Sequence, residues 1–84
     1  MGVIWTSRAL KQLKKLRDPK AQRRIVLATR KLDRFPNVGG IKALRGHRYG
    51  FRLRVGDYRV LFDVFESIRI ISIEEVKRRN ERTY

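Results

Sequence analysis

Phe51-Arg52-Leu53-Arg54-Val55-Gly56-Asp57-Tyr58-Arg59-Val60-Leu61-Phe62-Asp63-Val64-Phe65 repeats with a period of two. Phe51, Leu53 and Val55 alternate with Arg52 and Arg54. After Gly56-Asp57, Tyr58, Val60, Phe62 and Val64 alternate with Arg59, Leu61, Asp63 and Phe65. Strict alternation of this kind marks strands with one buried face, and a Gly-Asp pair between two of them marks a hairpin turn. A second turn at Glu66-Ser67 leads into a third apolar run, Ile68 to Ile73, so the segment reads as a three-strand antiparallel meander.

Upstream, the period lengthens. Ala9, Leu10, Leu13 and Leu16 recur at steps of three and four, leaving Lys11, Lys14 and Lys15 outside, and Thr6 or Ser7 can cap this first helix. Asp18-Pro19 is a helix N-cap followed by proline at the first helical position, where its missing N–H costs nothing. Ala21, Ile25, Ala28, Leu32 and Phe35 form the apolar stripe of a second helix, which Pro36 and Gly39-Gly40 end. Val3-Ile4-Trp5 is a short strand before both. The expected fold is α+β, in the order β-α-α-β-β-β, with a helical hairpin packed on one face of a small antiparallel sheet. Residues 1–84 form a single domain, whose small core is worth roughly 3 to 5 kcal/mol.

By alternation, Arg52, Arg54 and Arg59 fall on the face the helices leave uncovered, while Tyr58, Val60 and Phe62 join Trp5 in the core. The whole chain is cationic: 22 Lys and Arg against 8 Asp and Glu give +14. Residues 1–34 carry eleven basic and two acidic side chains, residues 42–59 six and one, and residues 60–84 five and five. Such an excess repels itself and attracts polyanions, so a phosphate-bearing or acidic partner is expected. No cysteine is present and there is one histidine, which excludes a disulfide framework, a thiolate zinc site and a multi-histidine metal site. No metal or cofactor is expected. No apolar run approaches the roughly 20 residues that span a bilayer, and no signal-peptide core opens the chain, so the expected location is cytoplasmic.

Four segments taken in order, Leu44-Arg45-Gly46, Phe51-Arg52-Leu53-Arg54, Tyr58-Arg59-Val60-Leu61-Phe62 and Lys77-Arg78 with Tyr84 beyond, resemble the RelE/ParE superfamily of type II toxin–antitoxin toxins. The resemblance runs over nearly all the chain and is nearer to the RelE-like mRNA endonucleases. It implies a metal-independent endoribonuclease that enters the ribosomal A site, where the ribose 2′-hydroxyl attacks the adjacent phosphate, and a cognate acidic antitoxin that neutralises the toxin. It also assigns Arg59, Lys77, Arg78 and Tyr84 to the catalytic set, with Arg45, Arg52 and Arg54 on the substrate. Three departures stand out: a short turn between the second and third strands, Asn80 where a further basic residue can occur, and Glu74-Glu75 as an extra pair ahead of Lys77. None is expected to alter strand parity.

The residues can be read for the same chemistry. Cleavage of RNA by its own 2′-hydroxyl needs a base, an acid and positive charge around a phosphorane. Guanidinium forks suit the last task, which points to Arg59 and Arg78 as electrostatic groups. Lys77, flanked by Arg78 and Arg79, is the candidate base, and Tyr84 can stack on a base. Against these stand structural alternatives: Arg59 paired with Asp63 or Glu74, His47 as a surface histidine, and the terminal basic run as a solvated tail. Two other functions share the pattern, a ParE-like DNA gyrase inhibitor and a non-catalytic basic RNA- or ribosome-binding module.

Overall fold

In the computed structural model, which describes residues 1–79, the chain forms two helices against a five-stranded sheet. The elements are β1 (Gly2–Trp5), α1 (Ser7–Lys14), α2 (Pro19–Arg30), β2 (Ile41–Ala43), β3 (Phe51–Val55), β4 (Tyr58–Phe65) and β5 (Ile70–Arg78). The sheet order is β1-β5-β4-β3-β2. Strands β2 to β5 pair antiparallel, as expected, but β1 joins β5 in parallel, so the sheet is mixed. Besides β1, the structure has one strand more than the meander, because Ile41–Ala43 pairs with Phe51–Leu53. The last strand starts later and runs further than Ile68 to Ile73, since Glu66–Ile68 forms a 3-10 turn and pairing continues through Arg78.

The helix signals act as their chemistry dictates. The Thr6 hydroxyl accepts from the Ala9 amide at 3.1 Å, and the Asp18 carboxylate accepts from the Lys20 and Ala21 amides at 3.1 and 3.2 Å. Helix α2 ends at Arg30, earlier than its apolar stripe, and Lys31–Arg34 continue as a 3-10 turn that still buries Leu32. Beneath the hairpin lie Ile25, Leu32, Val60, Phe62, Ile71 and Ile73, all fully buried. Phe62 stacks on Phe51 with ring centroids 5.4 Å apart and meets Phe35 edge-on at 6.1 Å. At the β3–β4 turn Gly56 has φ +56, the left-handed conformation the turn requires.

One irregularity determines what the sheet presents. Leu61 pairs with Glu75 but Phe62 pairs with Ile73, which leaves Glu74 as the extra residue of a β-bulge. Ile71 and Ile73 before it and Val76 after it therefore all face the helices. The expectation that Glu74-Glu75 leave parity unchanged is thus corrected. Helix α1 supplies the hydrogen bonds the disrupted ladder lacks: the Val76 amide donates to Gln12 Oε1 at 2.7 Å, and the Thr6 hydroxyl donates to the Glu74 carbonyl at 3.3 Å.

A cationic face on the open side of the sheet

Side chains on directly paired residues of neighbouring strands share a face, so the register fixes what stands opposite the helices. Arg54 pairs with Arg59, and Arg59 with Lys77, giving three cations in one row across β3, β4 and β5. At about 4.8 Å per strand the row spans roughly 10 Å between its outer Cα positions. The adjacent row holds Arg52, Leu61 and Glu75. Arg52 Nη1 donates to the Gly40 carbonyl at 2.9 Å, and Arg59 Nη2 donates to the carbonyl of Arg79. Partial burial, and then the like charges of Arg54, Arg59 and Arg79, push the Arg52 guanidinium below its ordinary pKa.

The carboxylates named as structural partners for Arg59 are bonded elsewhere. Asp63 Oδ1 accepts from the Gly50 amide at 2.7 Å, and Glu74 Oε2 accepts from the Ser72 hydroxyl at 2.7 Å. Lys77 Nζ lies 3.2 Å from Glu75 Oε1.

Two predicted residues stand apart from this row. Arg78 pairs with Tyr58, whose ring belongs to the core on the helical side, and the Arg78 guanidinium carbon lies 5.8 Å from that ring's centroid. Arg59 and Lys77 come together on one face and Arg78 lies on the other. Tyr84 is outside the described residues. Arg45 is exposed on the loop joining β2 to β3.

That loop lies over part of the face expected to be bare. It closes through a 2.8 Å bond from the Leu44 amide to the Gly50 carbonyl. Tyr49, His47 and Arg48 line a recess of about 220 Å³ with Leu61, Glu75 and Lys77. Tyr49 is 6% exposed and Leu61 1%, so an apolar residue on the outer side of β4 is buried by the loop rather than by the helices. Burial raises the Tyr49 phenol above its ordinary pKa, and its hydrogen bond to the Glu75 carboxylate acts in the same sense. Burial would push Glu75 upward too, but donors at Gln12, Lys77 and Tyr49 outweigh it and hold the carboxyl below its ordinary value. Neither Tyr49 nor Glu75 is among the site residues that the sequence predicts. The signal was there in an apolar Leu61 at an outward position, which needs a cover.

Among the described residues no three His, Cys, Asp or Glu side chains converge to hold a metal ion, and no helix is long and apolar enough to cross a membrane.

The family model of the ParE toxin of the type II toxin–antitoxin system parDE matches residues 3–83. The chain is 28% identical to a chain of the RelBE2 toxin–antitoxin complex from Mycobacterium tuberculosis, with a TM-score of 0.79, covering 93% of this chain and 96% of that one. It is 26% identical to a chain of the archaeal RelE–RelB complex from Pyrococcus horikoshii, with a TM-score of 0.73 and coverage of 95% and 96%. A YoeB/ParE toxin from Agrobacterium tumefaciens shares the fold at 20% identity and a TM-score of 0.76, covering 93% and 98%. None of the curated proteins matches the sequence significantly.

Proposed function

Because the chain belongs to the ParE toxin family of type II toxin–antitoxin systems, we propose that this toxin is a metal-independent endoribonuclease that cuts mRNA in the ribosomal A site. The observation that carries this reading is the row Arg54, Arg59 and Lys77 on the open face, with Arg52 beside it. A binding-only toxin needs complementary surface, whereas phosphoryl chemistry needs cations converging on a point.

In the proposed reaction the ribose 2′-oxygen attacks the adjacent phosphorus. The P–O2′ bond forms, the P–O5′ bond breaks, and the products are a 2′,3′-cyclic phosphate and a 5′-hydroxyl. Arg59 and Lys77 hold the non-bridging oxygens as charge builds on them, and Arg52 and Arg54 hold the flanking phosphate. Arg45, at the rim, adds to backbone binding, and Tyr84 supplies base stacking. With so little acid–base machinery on the face, much of the rate comes from orientation of the mRNA, which is what a ribosome provides. Two of the structural relatives are toxin–antitoxin complexes. For this chain, with +14 to offset, the partner is an acidic antitoxin.

Mapping mRNA 5′ ends after induction tests the reading: cuts cluster within codons in frame. Intact messages in arrested cells overturn it. The match to the ParE model favours a second reading, inhibition of DNA gyrase by binding. A supercoiling assay without ribosomes separates the two, since only the second predicts inhibition there.

A further inference from the structure

Glu75 is the one carboxylate lining the recess beside the cationic row. Its side chain is 14% exposed, and Oε1 lies 3.2 Å from both Lys77 Nζ and Gln12 Nε2. The Tyr49 side chain lines the same recess, and its hydroxyl accepts from Arg8 Nη1 at 3.0 Å. The Tyr49 amide in turn donates to His47 Nδ1 at 3.0 Å. Three separate parts of the fold thus meet at one anion: α1 through Gln12 and Arg8, the β2–β3 loop through Tyr49, and β5 through Lys77. The bulge at Glu74 delivers this carboxylate to the outer face, and Gln12 secures both, bonding the Val76 amide through Oε1 and Glu75 through Nε2.

An acidic group in the middle of a surface built for polyanions weakens binding, so its presence calls for a gain elsewhere. We propose that Glu75 is a positioning residue. It holds Lys77 in register with Arg59 and pins the His47–Tyr49 loop over Leu61, at the expense of RNA affinity. Two donors, Gln12 and Lys77, already converge on Glu75 Oε1, so its part is to fix its neighbours rather than to read the substrate. The claim for cleavage rests on the nuclease reading; the claim for binding does not.

The test compares wild type with Glu75→Gln in two measurements. One is binding of a single-stranded RNA oligonucleotide whose 2′-hydroxyls are methylated, over a range of salt. The other is cleavage of mRNA on translating ribosomes. Glu75→Gln is expected to bind the methylated RNA several-fold more tightly, with a salt slope steeper by up to about 0.7 as the charge that offsets Lys77 is removed. It is also expected to cleave at least about 10-fold more slowly once bound, since misplacing one electrostatic group costs of that order or more. A purely structural role would lower binding and cleavage together, in step with the folded fraction, and that result overturns the proposal, as does unchanged affinity with an unchanged slope. If Glu75→Gln does not fold, Tyr49→Phe decides: it removes one donor and no charge, and slower cleavage at an unaltered salt slope supports the proposal while wild-type cleavage overturns it. If the wild-type toxin cuts nothing, the nuclease reading has failed and the binding measurement alone judges Glu75.

Discussion

Arg59 and Lys77 are direct cross-strand partners on the open face of the sheet, and they are so because Glu74 is bulged out of β5. Without the bulge, a strand that buries Ile71 and Ile73 would turn Lys77 toward the helices. The same shift sends Arg78 to the opposite side, against Tyr58. Adjacent strand residues point to opposite faces, so Lys77 and not Arg78 stands beside Arg59.

Arg59→Ala should therefore lower cleavage on the ribosome by about 100- to 1,000-fold, the usual loss when one oxyanion-stabilising group is removed. Arg78→Ala should lower it far less. Its measurable effect is on stability, about 0.5 to 1 kcal/mol from the guanidinium over the Tyr58 ring. Initial rates and urea midpoints for the two variants check the pair. An Arg78→Ala loss equal to that of Arg59→Ala would mean that residues from both faces meet the RNA.

Most of the fold was legible because its signals are local. The alternation in 51–65, the Asp18-Pro19 cap and the apolar stripe of α2 each depend on residues within a few positions of one another, and each produced the element it predicts. Missing were features decided by partners distant in sequence. The parallel pairing of β1 with β5 joins residues 2–5 to 70–73, and nothing in Val3-Ile4-Trp5 states a direction. The bulge is stabilised by Thr6 and Gln12, more than 60 residues away, so Glu74-Glu75 alone could not reveal it. Of the proposed site, Arg52, Arg54 and Arg59 follow from alternation, whereas the choice of Lys77 over Arg78 follows from the bulge.

Gly56 has φ +56 at the β3–β4 turn, and a Cβ there would stand 3.0 Å from Arg24 Nη2. The guanidinium is the far end of a flexible side chain and can move; the backbone cannot. Gly56→Ala is expected to cost about 1 to 2 kcal/mol, the penalty of a left-handed conformation for an L-residue. Thermal denaturation reads this as a drop of roughly 4 to 16 °C for a domain of this size.

Glu75 gives the stability a pH dependence with a definite sign. Its carboxyl is held below its ordinary value in the folded protein. The folded state therefore binds the proton less readily than the unfolded chain. The contribution to stability is complete above the unfolded carboxylate value of about 4.3 and is lost as pH falls through the folded value. Melting temperatures of wild type and Glu75→Gln should differ at pH 7, and the difference should close below about pH 4. A gap that stays constant down to pH 3 would contradict the assignment of this titration to Glu75.

Deleting Glu74 tests the bulge itself. The deletion restores unbroken alternation along β5 and keeps its parity: Ile71, Ile73 and Val76 stay on the helical side while Glu75 and Lys77 stay on the open face. It removes the bond from the Ser72 hydroxyl to the Glu74 carboxylate and the bond from the Thr6 hydroxyl to the Glu74 carbonyl, and disturbs the bond from the Val76 amide to Gln12. The deletion variant should therefore fold, with a urea midpoint corresponding to a loss of about 1 to 3 kcal/mol. Glu74→Gly keeps the extra residue and removes only the bond from Ser72. It should stay folded, with a urea midpoint corresponding to a loss of about 1 kcal/mol. A deletion variant that folds but loses RNA affinity would show that the bulge does more than set which basic residue reaches the open face.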